Sequence, residues 1–148
     1  MKKLLLSALT GLVLLSACKK DDESVPTMQV SGTLSPSNEV PAVTNSTATG
    51  TVTGMYTPST KVLNYTITYS GLTGPATAGH LHFGDTKHTT AAPTVPFTGV
   101  PSAASGSFSG TVTLNAMQAD SLVAKRIYAN IHTTVNSGGE LRANLILK

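Results

Sequence analysis

The sequence predicts an all-β domain, a Greek-key sandwich or barrel of seven to eight short strands with one short helix. Three observations predict it. Apolar and polar residues alternate in short runs, the signature of a half-buried strand. The 148-residue chain carries 23 threonines, a strand-favouring residue, with 13 glycines and 8 prolines to punctuate turns. Apolar residues make up 40% of the chain, enough for a core, whereas the length suits one folded domain and not two.

The domain begins at Met28, after which Val30, Gly32 and Leu34 alternate with Gln29, Ser31 and Thr33. A Thr/Gly/Val-rich strand runs from Ala48 to Tyr56, and Pro58-Ser59 turns the chain. Between Val62 and Tyr69, Leu63, Tyr65, Ile67 and Tyr69 share one face, where both tyrosines serve as packing residues. Gly79 to Gly84 is a short strand carrying His80 and His82. Residues 85–106 form a long loop with one short strand near Val95–Val100. Ser107 to Leu114 alternates again. Asn115 to Ala124 departs from period two; Asn115 is suited to cap a helix holding Met117, Leu122 and Val123. Ile127 to Thr133 and Leu141 to Leu147 are the closing strands, with Gly138-Gly139 as the hairpin turn between them. Asn38-Glu39-Val40-Pro41 reads as a turn after the first strand, started by Asn38 and stiffened by Pro41, the alternative being Glu39 as a ligand or an acid.

Ahead of the domain lies a different kind of segment. Residues 1–17 have a basic start, Met1-Lys2-Lys3, and an apolar run from Leu4 to Leu15 that is too short to span a bilayer. Leu15-Ser16-Ala17-Cys18 then resembles a bacterial lipobox, in which the Cys thiol is acylated, with palmitate among its acyl groups, and becomes the mature N-terminus. Several acyl chains give stable membrane anchoring. Residues 18–27 follow as a charged tether. Its Lys19-Lys20-Asp21-Asp22-Glu23 reads as a solvated spacer and resembles the signal that sends lipoproteins to the outer face of an outer membrane. The expected location is therefore the cell envelope, as an outer-membrane lipoprotein.

Charge and cysteine content exclude several classes. The chain has 10 Lys and Arg against 7 Asp and Glu, a net charge of +3 that is too weak for a nucleic-acid partner. Without the leader the surplus shrinks to a single positive charge. One cysteine permits no intrachain disulfide and no Cys-cluster zinc site. No nucleophile–base pair or pair of carboxylates stands out, so no catalytic residues are assigned. Asn45-Ser46-Thr47 and Asn64-Tyr65-Thr66 match the glycosylation sequon, which a bacterial lipoprotein is not expected to use.

Strand parity locates the candidate site. Residues i and i+2 project to one side of a strand. His80 and His82 therefore share a face opposite Leu81 and Phe83. Tyr128, Asn130 and His132 share a face opposite Ile127, Ala129 and Ile131. Glu140, Arg142 and Asn144 oppose Leu141, Ala143 and Leu145. With the apolar sides in the core, the polar sides converge on the outer face of the sheet, under the 71–79, 85–106 and 133–139 loops. Two readings stay open. In one, Asn130, Glu140, Arg142 and the histidines form a hydrogen-bonding network tying loops to strands. In the other, His80, His82 and His132 hold a Cu or Zn ion, with His88 as a weaker fourth ligand.

The ordered motifs resemble the CHRD (chordin-type) domain. They are Asn38-Glu39-Val40-Pro41, Ala78-Gly79-His80-Leu81-His82, Tyr128-Ala129-Asn130-Ile131-His132-Thr133 and Gly138-Gly139-Glu140-Leu141-Arg142. The resemblance covers residues 28–148. The chain departs from the family pattern with Asp85-Thr86-Lys87-His88 in place of a Gly-rich stretch, Asn136-Ser137 in place of Asn-Pro, and Arg142-Ala143-Asn144 in place of Arg-Gly-Gln. The resemblance implies an immunoglobulin-like β fold and an extracytoplasmic setting, and for bacterial members no established activity. His80-Leu81-His82-Phe83-Gly84-Asp85 and Gly139-Glu140-Leu141-Arg142 are also faintly similar to Cu/Zn superoxide dismutases. That similarity implies His80, His82, His88 and His132 as copper ligands and Arg142 as an anion guide. The short spacing to His88, the four histidines in all and the lone cysteine count against it. The leading expectation is a lipid-anchored binding or interaction module without catalysis. Its partners would be the membrane, through the lipid, and an extracellular or envelope protein or glycan. The alternative is a copper- or zinc-binding domain.

Overall fold

A computed structural model describes residues 25–90 and 92–148. The expected leader 1–17 and Cys18 lie outside the described residues, as does most of the tether. Nine strands and one α-helix are formed in the order β1 (Met28–Leu34), β2 (Thr49–Thr57), β3 (Val62–Ser70), β4 (Ala76–Phe83), β5 (Pro93–Pro96), β6 (Gly106–Thr113), α1 (Ala116–Val123), β7 (Ile127–Thr133), β8 (Leu141–Asn144) and β9 (Ile146–Leu147), with a 3-10 turn at Pro36–Asn38. Among these residues no helix is long and apolar enough to cross a membrane.

The strands form two antiparallel sheets, a five-stranded one ordered β6-β3-β2-β1-β9 and a four-stranded one ordered β5-β4-β7-β8. This is the sandwich alternative of the sequence reading. The predicted alternation supplies its filling. Val30, Leu34, Val52, Tyr56, Leu63, Ile67 and Tyr69 face inward from the larger sheet, and Leu81, Ala129, Ile131, Leu141 and Ala143 from the smaller one, all buried. Tyr65 and Tyr69 are core residues as expected; the Tyr69 hydroxyl is satisfied by donating to the Pro101 carbonyl at 2.8 Å.

The expected helix is present and its cap is as read. Asn115 accepts from the Gln118 N–H at 2.9 Å while the Gln118 side chain accepts from the Asn115 N–H at 2.8 Å, a reciprocal capping box. Of the three apolar residues assigned to it only Leu122 enters the core, beside Ala119, whereas Met117 and Val123 are exposed.

Two strand assignments need correcting. Leu141 to Leu147 is not one strand: Leu141–Asn144 pairs with β7, the chain turns at the buried Leu145, and Ile146–Leu147 pairs with β1 in the other sheet. Such sheet-switching closes a corner of a sandwich, and it raises the strand count from seven or eight to nine. The strand expected near Val95–Val100 is shifted to Pro93–Pro96, where Val95 pairs with Leu81. A strand bounded by prolines fits here because β5 lies at the sheet edge.

Candidate functional site

The outer face of the four-stranded sheet carries the residues that parity grouped. The register sets His80 beside Asn130 and Asn130 beside Arg142, with His82 beside Tyr128 and Ala78 beside His132. The side chains project to that face as parity placed them, and loops cover most of it, with His80 and His132 only partly buried. Asn130 is 2% exposed, His82 4%, and Glu140 and Arg142 0%. Segments around Glu39–Thr47, Gly84–Thr90 and Thr134–Gly139 roof it, and of these the first was not anticipated.

Glu140 fastens one part of the roof. Its Oε1 accepts from the Ser46 hydroxyl at 2.7 Å and the Thr73 N–H at 2.8 Å. Its Oε2 accepts from the hydroxyls of Thr73 and Thr133, both at 2.7 Å, and from the Asn136 amide at 3.2 Å. Burial pushes this carboxyl up, but the hydrogen bonds from Ser46, Thr73 and Thr133 more than reverse that and hold it at about 2. Arg142 fastens another part. Its Nη2 donates to the carbonyls of Asp85 and His88, the latter at 3.0 Å, and its guanidinium carbon lies 3.6 Å from the centroid of the Tyr128 ring. His82 stacks on the same ring at 5.0 Å and 7°. Because β4 and β8 flank β7, the two approach Tyr128 from opposite sides.

Glu39, read as part of a turn, belongs to this layer. Its Oε1 accepts from the Asn130 amide at 2.6 Å. Burial raises its carboxyl to about 7, against the lowering effects of Arg142 and Asn130. Gly139 permits the approach. Its φ is +129°, and a Cβ there would lie 2.5 Å from Asn130 Nδ2 and 2.7 Å from Glu39 Oε1. Ser46, Thr73, Thr133 and Tyr128 were also missed as site residues. Only two acids, Glu39 and Glu140, lie within N-E-V-P and G-G-E-x-R, and that placement was the available signal.

Three imidazoles occupy the rest of the face. His80 Nδ1 and His132 Nε2 are 3.2 Å apart, and one ring nitrogen from each of His80, His82 and His132 lies within 4.8 Å of the others. His82 Nδ1 is 3.0 Å from the Thr90 carbonyl and His132 Nδ1 is 2.9 Å from the Ser137 carbonyl. A carbonyl only accepts, so both rings carry their proton on Nδ1 and keep a lone pair on Nε2. His82 Nε2 is buried with no hydrogen-bond partner among the described residues. Burial, reinforced by the neighbouring imidazoles, pushes His80 and His82 below the usual histidine value, although the Thr90 carbonyl pulls His82 back in part. The trio is a set of imidazole nitrogens of the kind that suits Zn or Cu.

His88 does not join them. Its Nδ1 is held by Asp85 at 2.8 Å on an exposed loop, which corrects its place as a fourth ligand. Arg142 cannot steer anions from solvent either, being sealed beneath that loop with Nη2 committed to its carbonyls. The dismutase-like assignment of these two residues is therefore not carried by the structure.

A family model described as CHRD domain matches residues 30–145 of the chain. No curated protein and no solved structure matches significantly.

The two buried acids predict opposite pH effects. Glu140 has a folded value of about 2 against an ordinary 4.5. Its ionisation therefore contributes stability that is present above pH 4.5 and lost as pH falls toward 2. Urea unfolding at pH 7 is expected to find Glu140→Gln less stable by about 3 kcal/mol, with the gap shrinking on acidification below pH 4.5. Glu39 has a raised folded value of about 7. Its contribution is complete below pH 4.5 and is lost as pH rises through 7. Glu39→Gln, which keeps an oxygen for Asn130, is expected to flatten the fall in melting temperature between pH 5 and pH 8.

Proposed function

As the chain belongs to the CHRD-domain family, we propose that it is an interaction module of the cell envelope, held at the outer membrane by an acylated Cys18. The observation that carries the interaction reading is a groove of about 410 Å³ lined by Glu39, Val40, Pro41, Val43 and residues 135–139. Its rims present apolar surface, with Val40 exposed and Val135 56% exposed, while its floor is fixed by Glu39 bonded to Asn130. An open groove that mixes exposed valines with polar side chains suits a protein or glycan partner, since such interfaces are about as apolar as ordinary surface. The basic start, the apolar run and Leu15-Ser16-Ala17-Cys18 support the anchor. Clickable palmitate fed to the producing bacterium is expected to label the wild type and leave Cys18→Ala unlabelled, with the variant shifted out of the membrane fraction. An unlabelled wild type would remove the anchor from this reading.

A second reading, a copper- or zinc-binding module, is favoured by one observation: three imidazoles converge, two of them with lone pairs fixed by carbonyls behind the ring. Metal-ligating histidines have this support, which sets the tautomer and the ring orientation. Titration of Zn²⁺ or Cu²⁺ into the purified protein is expected to give a Kd below about 10 μM. His80→Ala or His132→Ala should weaken it by about 100-fold, and His88→Ala should leave it unchanged.

A further inference from the structure

The two carbonyls behind the imidazoles come from two different roof loops. Thr90 belongs to the connection between β4 and β5, and Ser137 to the connection between β7 and β8. The third imidazole, His80, has no such tie; its Nδ1 faces His132 Nε2 at 3.2 Å. Since His132 keeps its proton on Nδ1, His80 must donate across that gap.

Resting on the metal-binding reading, we infer that an ion at His80, His82 and His132 acts as a clasp that fixes the Gly84–Thr90 and Thr134–Gly139 loops together, and with the second loop one rim of the groove. The ligand atoms are His82 Nε2, His132 Nε2 and His80 Nδ1. His80 changes tautomer as the ion enters: Nδ1 gives up its proton, Nε2 takes one, and no net proton is released. Bond lengths of about 2.0–2.1 Å to imidazole place tetrahedral ligand nitrogens about 3.3–3.4 Å apart. The His80–His132 pair already has that separation. One ring nitrogen of each histidine lies within 4.8 Å of the others, so the closure still to be made is on the order of 1 Å.

That closure draws on both loops. The His82 and His132 rings each turn with a carbonyl hydrogen-bonded to the far nitrogen, so fixing these rings fixes Thr90 and Ser137. The loops are otherwise attached at other points. Gly84–Thr90 is held by Arg142 through the carbonyls of Asp85 and His88, and by Thr89 and Thr90 on Tyr128. Residues 134–139 are held from below by Asn136 on Glu140 and lead into the groove rim at residues 135–139. The ion adds a direct tie between the loops that no hydrogen bond among the described residues supplies. An apolar rim on a mobile loop binds weakly because ordering opposes association, and a pre-ordered rim removes that cost.

Hydrogen exchange of the purified full-length protein, without metal and with saturating Zn²⁺, tests the clasp. Isothermal titration on the same sample reads binding itself. The amides to follow are Asn136 and Gly139 on one loop and Asp85 and His88 on the other, with Ala119 and Ala124 of α1 as reference. Zinc binding with exchange slowed by about tenfold or more on both loops, and unchanged in α1, is the expected result. His80→Ala should abolish the slowing while its metal-free exchange pattern matches the wild type, showing that the fold is intact. Binding with no slowing, or with equal slowing in α1, overturns the clasp and leaves the metal site standing, because uniform protection is only mass-action stabilisation. Absence of binding overturns the clasp and the metal-binding reading together.

Discussion

The carboxylate of Glu140 is the constraint on which the site depends. It is an anion at 0% exposure, and its lone pairs are taken by an N–H, three hydroxyls and an amide. The donors reach it from four places in the chain: Ser46, Thr73, Thr133 and Asn136. A buried charge is costly unless its acceptor capacity is filled. Here it is filled by dipoles, with no cation opposite; among the described residues the one contact between a carboxylate and a basic side chain is Asp85 with His88 on the surface. Hydroxyls that could rotate to many partners all aim at one point, and the segments that carry them are positioned by doing so. Neutralising the carboxyl leaves those donors without a strong acceptor, and several loops lose a shared attachment at once.

Arg142 repeats this arrangement with the sign reversed. Two residues beyond Glu140 and on the same side of β8, it offers donors where Glu140 offers acceptors, and it takes carbonyls where Glu140 takes hydroxyls. The two side chains fasten different roof loops and do not pair with each other. Between them Glu39 rests on Asn130, close enough to Gly139 that no side chain fits there. The polar layer is thus a set of anchors distributed along adjacent strands, and the imidazoles occupy its remaining part.

Much of this was legible in the sequence, for a definite reason. Period-two alternation assigns each side chain to a face with no knowledge of tertiary structure, so the common face of His80, His82, Asn130, His132 and Arg142 followed from β4, β7 and β8 alone. Parity is silent on what covers a face. The cover that buries Asn130 comes from Glu39, 91 positions away, in a stretch with no apolar period to mark it. The bend at Leu145 was hidden for a related reason: alternation continues unbroken through it, while the partner changes from β7 to β1. His88 went astray because a loop residue has no parity, and its nearest carboxylate, Asp85, captured it.

The two outer faces of the sandwich differ in how their polar groups are satisfied. On the larger sheet the outward residues include Ser, Thr and Asn whose side chains satisfy one another across strands, Thr66 with Ser109 at 2.8 Å, Thr68 with Ser107 at 3.1 Å and Thr111 with Asn64 at 2.6 Å. They remain at the surface, and pairs of this kind stabilise a sheet without committing it to a ligand. On the smaller sheet the same positions hold His, Asn, Tyr and Arg under a roof, and His82 Nε2, Asn130 Oδ1 and Arg142 Nε and Nη1 lack partners among the described residues. Buried polar atoms are normally hydrogen-bonded, so these are the positions at which the layer has capacity for a further partner, an ordered water among them. Among these atoms His82 Nε2 belongs to the imidazole trio, one ring nitrogen of each lying within 4.8 Å of the others.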